Sequence, residues 1–216
     1  MSSPDPVTFF KQSLKSDAYF ADELINIYLL RPIASMIVWL VYPTSVTPNL
    51  VTTVAIVIGV TAAFVYSVDT PMATAVAGTL VLLKDVFDDA DGQLARAKAL
   101  YSRRGRFFDS VADFVVNVLI FAAITDVVYK MHPMASTLVL GFLSFLGITL
   151  RVSYHVYYQV SFLHLEGGYT FNRIVEEITD DDRSGDPVAL YLQQQFTLIY
   201  SWQDKLMYFI DQWCKG

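Results

Sequence analysis

The chain has 216 residues, of which 54% are hydrophobic and 17% are charged, and its formal net charge is −6. Soluble domains carry about 25% charged residues, so this composition excludes an ordinary soluble globule and a disordered chain. The acidic balance argues against a nucleic-acid partner, which requires a basic surface, and the single cysteine excludes an internal disulfide.

Residues 1–49 predict an N-terminal juxtamembrane segment with amphipathic character. The first part carries scattered charges and no clean apolar core, which is not the pattern of a cleavable signal peptide. The stretch from Ile33 to Tyr42 is apolar and predicts a helix that enters the membrane interface or the bilayer. Pro43, Pro48 and Asn49 then predict a turn.

Residues 50–160 contain four long apolar stretches, each long enough to cross or nearly cross a bilayer, which takes about 20 residues. They are Leu50–Val68, Met72–Phe87, Phe107–Tyr129 and Met134–Tyr158. The sequence therefore predicts an all-α integral membrane bundle with four clear spans, preceded by the juxtamembrane helix. Residues 161–216 predict a polar, acidic linker (its acidic run spans 176–186) and then an amphipathic helix over Val188–Trp213.

Basic residues predict the orientation of this bundle. Lys98, Arg103, Arg104 and Arg106 lie between the second and third spans, whereas the connection between the first two spans has no basic residue. The positive-inside rule places the basic connection and both tails in the cytosol.

Four aspartates flank that basic connection. Asp88 and Asp91 are spaced i,i+3 at the end of the second span, and Asp109 and Asp113 are spaced i,i+4 at the start of the third. Each spacing puts two carboxylates on one helix face, and the connection returns the chain to the same membrane side. A lone aspartate at a helix end is usually a cap or a solvated group, but acids at membrane depth are costly and mark functional sites.

Four carboxylates held together cannot all stay ionised without a cation. Ligands that are all oxygen favour a hard divalent ion, here Mg²⁺ or Mn²⁺. The set could hold two ions about 3.5–4 Å apart, an arrangement that clamps a phosphate. A remote alternative is a divalent-cation transporter, which would distribute its acids across the bilayer.

The spacing D-x2-D-G-x2-A-R-x8-G-x3-D-x3-D resembles the signature of the CDP-alcohol phosphotransferase family. Its positions are met by Asp88, Asp91, Gly92, Ala95, Arg96, Gly105, Asp109 and Asp113. The segment from Thr47 to Thr52 also resembles the start of the first membrane helix of that family. The resemblance implies an enzyme that displaces CMP from a CDP-linked donor with an alcohol, one of the two substrates being a lipid.

The resemblance also implies roles and an architecture. The family has a six-helix membrane domain, usually a homodimer, with a cytosol-facing site for two metal ions, whereas this chain shows four clear spans. By resemblance, Asp88, Asp91, Asp109 and Asp113 are metal ligands, and Asp113 is also the general base. Four further signature residues would contact the cytidine diphosphate: Gly92, Ala95, Arg96 and Gly105.

Two arrangements of the substrates remain open. The order Asp109-Ser110-x-Ala112-Asp113 resembles bacterial phosphatidyltransferases, which favours CDP-diacylglycerol as donor and a polar alcohol as acceptor. In the alternative, a CDP-linked head group such as choline, ethanolamine or inositol phosphate is transferred to a lipid alcohol. Arg151, near the end of the fourth span, is a candidate for binding a substrate phosphate; otherwise it reaches the lipid headgroups.

Overall fold

The computed structural model describes residues 24–165, 178 and 185–215, and within them the chain is helices joined by short connections, with no strand. A five-residue π-helical stretch (Asn26–Leu30) leads directly into α1. The α-helices in these ranges are α1 (Arg31–Val41), α2 (Pro48–Tyr66), α3 (Pro71–Ala97), α4 (Arg103–Met131), α5 (Ala135–Leu165) and α6 (Pro187–Lys215). The all-α prediction is confirmed. The start of the predicted juxtamembrane segment and nearly all of the acidic linker lie outside the described residues.

Hydroxyl caps and prolines fix where three of these helices begin. Thr47, Thr70 and Ser102 precede α2, α3 and α4, and each side chain accepts a hydrogen bond from the backbone N–H three residues further on. Pro48 and Pro71 occupy the first helical positions of α2 and α3, where the missing N–H has no helical partner to lose.

Three helices among the described residues are long and apolar enough to cross a membrane: α2, α4 and the part of α5 up to Gln159. The second predicted span, Met72–Phe87, does not belong to these three helices. It lies in α3, whose 27 residues extend about 40 Å, but the apolar part ends before Lys84 and the rest carries the acidic and basic residues. Large apolar side chains such as Phe64 and Phe142 point outwards, as expected in contact with lipid.

The helices form two packing groups that share α4. In the first group, α3 packs against α1 and α2, and α2 also packs against α4. In the second group, α4, α5 and α6 pack against one another. A cluster of small and medium apolar side chains joins the first group: Ala34, Val38, Val51, Val86, Ala90 and Leu94.

The helices α2 and α4 approach each other closely at Gly59. A Cβ atom built on Gly59 would lie 2.5 Å from Cγ1 of Val116, and the β-branched Val116 has little rotamer freedom in a helix. Small residues at such crossings let membrane helices approach closely. Gly78 of α3 is an exposed helical glycine with nothing within 4 Å of the equivalent position.

We therefore expect Gly59→Ala to lower the free energy of unfolding by about 1–3 kcal/mol, the usual cost of overpacking. Gly78→Ala, the matched control, should be neutral or slightly stabilising because alanine favours the helix. Thermal unfolding of both purified variants in detergent measures the difference. Equal stability of the two variants would show that α2 and α4 are not tightly packed at Gly59.

Polar contacts, of which the Ser35–Gln93 hydrogen bond is buried, tie the first group together near the predicted site. The Ser35 hydroxyl of α1 donates to Oε1 of Gln93 in α3, at 2.9 Å. After α3, Nζ of Lys98 donates to the carbonyl oxygens of Thr44 and Val46, at 2.8 and 2.7 Å. The α1–α2 and α3–α4 connections therefore lie at the same end of the bundle.

Candidate functional site

The two aspartate pairs meet because a short turn joins α3 to α4, an arrangement called here the α3–α4 hairpin, and both helices pack against α2. Ala99 has a left-handed φ of 53°, and the N–H of Leu100 donates to the carbonyl of Ala95 at 2.9 Å. This arrangement resembles the glycine-terminated helix ends of many proteins, with alanine in the glycine position. The Ser102 cap then starts α4, so the end of α3 faces the start of α4.

Three of the four aspartates converge. One carboxylate oxygen from each of Asp88, Asp91 and Asp109 lies within 4.8 Å of the other two. Oδ1 of Asp109 is buried and has no hydrogen-bond partner among the described residues. The Thr52 hydroxyl of α2 donates to Oδ2 of the buried Asp91, which fixes the orientation of that carboxylate. Hard oxygen donors, close spacing and an unsatisfied carboxylate oxygen together fit a divalent cation.

The fourth aspartate contacts a lysine instead. Nζ of Lys84 lies 2.5 Å from Oδ1 of Asp113, 3.6 Å from Oδ1 of Asp85 and 4.0 Å from Oδ1 of Asp88. The Lys84 side chain is only 11% exposed. The site therefore combines three converging carboxylates with the Lys84–Asp113 ion pair, which lies one helical turn away from them along α3 and α4.

The two signature glycines keep side-chain bulk away from polar neighbours. A Cβ atom on Gly92 would lie 3.5 Å from Nη1 of Arg96, so the guanidinium group lies beside the bare backbone. A Cβ atom on Gly105 would lie 2.9 Å from Oδ1 of Asn49, so Gly105 lets the start of α2 approach the start of α4. Nε of Arg96 is buried and has no hydrogen-bond partner within the described part of the chain.

A partly enclosed cavity of about 300 Å³ opens beside the aspartates in the second packing group. Its apolar wall is formed by Val152, Val156 and Phe196, and its polar lining consists of Asp109, Ser110, Asp113, Ser153, Tyr157, Tyr200 and Asp204. The Tyr200 hydroxyl donates to the carbonyl oxygen of Ser110 at 2.9 Å, which ties α6 to α4. The cavity thus joins two signature aspartates to the C-terminal helix.

The remaining candidates are placed less centrally, and the structure adds contributors that the sequence did not predict. Ala95 is half-buried on α3, and Arg151 is exposed on α5 next to Val152 of the cavity wall. Tyr200 and Asp204 were not predicted from the sequence, because nothing in an amphipathic stretch indicates which face meets α4. For Lys84 there was a signal: a lysine one turn before Asp88, at the point where the apolar half of α3 ends.

The sequence model of the CDP-alcohol phosphatidyltransferase family matches residues 45–168, and the chain belongs to this family. The predicted resemblance is confirmed. Membership places the chain among the phosphotransferase enzymes, and with the three long apolar helices it identifies an integral membrane protein.

The chain is also similar to a relative from Thermococcus kodakarensis, described as a bifunctional IPC transferase and DIPP synthase. The two are 31% identical over 113 residues, which cover 50% of this chain and 25% of the relative. The chain thus matches about a quarter of the relative's length, so the similarity concerns a part of that protein.

Proposed function

We propose that this chain transfers a phosphatidyl group from CDP-diacylglycerol to a small polar alcohol, releasing CMP, in phospholipid biosynthesis. The observation that carries the proposal is the placement of the family signature. Three signature carboxylates converge, and the fourth, Asp113, lines a cavity suited to an acceptor.

The aspartates divide between two tasks in this proposal. Asp88, Asp91 and Asp109 would hold a divalent ion, Mg²⁺ or Mn²⁺, and Asp113 would contribute to a second ion site and accept the proton of the attacking hydroxyl. A bound divalent ion supplies the positive charge that neutralises the pyrophosphate of the donor. An alcohol is a weak nucleophile at neutral pH, so a carboxylate within reach of its proton raises the rate of attack.

The cytidine diphosphate would lie over the end of α3 and the start of α4. Gly92 and Gly105 leave the backbone accessible there, Ala95 adds little bulk, and the guanidinium of Arg96 is placed to bind a phosphate. The acceptor oxygen forms a bond to the phosphorus of the phosphatidyl group while the bond from that phosphorus to the bridging oxygen breaks. CMP leaves with the bridging oxygen, and the hydroxyl proton passes to Asp113.

The cavity supports a small polar acceptor over a lipid alcohol. Its volume of about 300 Å³ and its lining of serine, tyrosine and aspartate side chains suit a compact alcohol with several hydroxyl groups. Arg151, one residue from the cavity wall, is the candidate for a phosphate on either substrate. The acids cluster at one end of the helix hairpin, which disfavours an ion pathway across the bilayer.

Two further proposals concern the assembly. We propose that the site faces the cytosol, because the α3–α4 connection carries the basic residues that the positive-inside rule assigns to that side. We also propose a homodimer, the form that the family resemblance implies, with residues 50–160 as the catalytic unit between the two flanking segments.

The test is a screen of CMP release by the purified full chain in detergent with Mg²⁺ or Mn²⁺. The donors are CDP-diacylglycerol, CDP-choline, CDP-ethanolamine and CDP-inositol, each offered with small polar alcohols and with diacylglycerol. We expect release from CDP-diacylglycerol with a polar alcohol, and loss of release with EDTA. Release only from a CDP-linked head group with diacylglycerol would favour the alternative arrangement, and no release from any pair would contradict the proposed activity.

We expect Thr52→Val to weaken the binding of the divalent ion by about 10–100-fold, the usual effect of removing a hydrogen bond to a metal ligand. The substitution keeps the shape of the side chain but removes the donor to Asp91. Thr53→Val is the matched control, because Thr53 is exposed and, among the described residues, its hydroxyl donates to the carbonyl of Asn49 in its own helix. Mn²⁺ titration followed by electron paramagnetic resonance measures both affinities; equal affinities would remove Thr52 from the site.

A further inference from the structure

Lys84 lies in an unusual place for a lysine. Counted over the whole residue, Lys84 is only 8% exposed within α3. An ammonium group withdrawn from water requires a close negative partner. Its aliphatic stem is held against α2, since a Cβ atom on Gly59 would lie 3.4 Å from Cγ of Lys84. The ammonium group is thereby directed towards α4, where it meets Asp113 at 2.5 Å.

The Lys84–Asp113 contact separates Asp113 from the other three aspartates of the cluster. Asp88, Asp91 and Asp109 share a space suited to one cation. The carboxylate of Asp113 is next to a positive charge supplied by the protein, and the same ammonium group is 4.0 Å from Oδ1 of Asp88. A second divalent ion that used Asp113 would have to enter beside Lys84 or displace it, and like charges at such distances repel strongly.

We propose that Lys84 is a built-in cation that competes with the second divalent ion for Asp113, so that the two ions bind in order. This inference rests on the proposed two-ion site. In the substrate-free chain, Lys84 neutralises Asp113 and one ion binds tightly at the other three aspartates. The diphosphate of the donor then adds negative charge beside the pair, which lets the second ion compete with the ammonium group.

The experiment counts Mn²⁺ ions bound to the full chain in detergent by electron paramagnetic resonance, without nucleotide and with CDP. We expect one tight site in the wild type without nucleotide and two with CDP. Lys84→Met should give two sites without nucleotide, with the dissociation constant of the second ion lowered by about tenfold or more, the scale on which a neighbouring charge shifts an ionic equilibrium.

Two lysine variants serve as controls. Lys84→Arg keeps the positive charge and should retain one tight site without nucleotide. Lys130→Met removes a lysine that pairs with Asp126 at 2.7 Å, at the opposite end of α4, and should leave both ion counts unchanged. If Lys84→Met folds poorly, Lys84→Gln removes the same charge and replaces it in the experiment. The wild type, compared with and without CDP, tests the ordered binding without any variant.

Two equally tight sites in the wild type without nucleotide would overturn the inference, as would a single site in Lys84→Met. These outcomes are separable from failure of the proposed function. Ordered binding of two ions without CMP release from any donor would contradict the activity and leave the role of Lys84 standing. CMP release that is lost in the aspartate variants, combined with unchanged ion counts in Lys84→Met, would contradict the role of Lys84 alone.

Discussion

Asp113→Asn should lower the rate of CMP release by about 10²–10⁴-fold, the range that general bases contribute. The carboxamide has nearly the same shape but cannot take a proton from the acceptor hydroxyl. Because Asp113 lies outside the group of three converging carboxylates, we expect the tight divalent ion to remain bound. The loss should therefore appear in the turnover rate at saturating metal, measured with the preferred donor and acceptor.

Asp126→Asn is the matched control for this substitution. Asp126 lies on the same helix as Asp113 and also pairs with a lysine, Lys130, but at the far end of α4 from the site. It should retain wild-type activity. Wild-type turnover in Asp113→Asn would show that another group accepts the proton, and equal losses in both variants would indicate damage to α4 itself.

Asp91→Asn should remove both metal binding and activity. Asp91 is buried, contributes one of the three converging oxygens and is oriented by Thr52, so its replacement removes one of the three ligands of the ion. An ion that stabilises transition-state charge contributes several kcal/mol, so we expect CMP release to fall by about 10³-fold or more. Tight Mn²⁺ binding should be lost in the same titration.

The two aspartate variants together separate the proposed roles. Asp113→Asn should bind the tight ion and turn over slowly, whereas Asp91→Asn should do neither. Excess Mn²⁺ is expected to restore part of the activity of Asp91→Asn and none of the activity of Asp113→Asn. Tight Mn²⁺ binding in Asp91→Asn would mean that the ion is held elsewhere.

Much of the fold was predictable because its signals are local. Apolar runs predicted the membrane helices, and Pro48 and Pro71 indicated where α2 and α3 begin. The second span was harder, because α3 is one continuous helix in which an apolar half leads into a charged half. Hydropathy averages the two halves, so the sequence alone does not show how far α3 lies within the bilayer.

The site was predictable to the extent that it lies within one hairpin. Helical spacing is sufficient to put Asp88 and Asp91 on one face of α3. The short connection after α3 brings the start of α4 beside them. Contacts from distant elements were not predictable: the Thr52 hydroxyl comes from α2, and the Tyr200 side chain reaches the cavity from α6. Such contacts depend on how helices rotate against one another, which no local pattern specifies.

Sharing α4 between two packing groups has a consequence for how this enzyme could diversify. On the proposed assignment, the nucleotide is held by the α3–α4 hairpin, whereas the alcohol is held by side chains of α4, α5 and α6. Substitutions on α5 and α6 can therefore retune the choice of alcohol without disturbing the signature that handles the cytidine diphosphate. On this assignment, the helices that bind the donor and the helices that bind the acceptor are different, and α4 belongs to both sets.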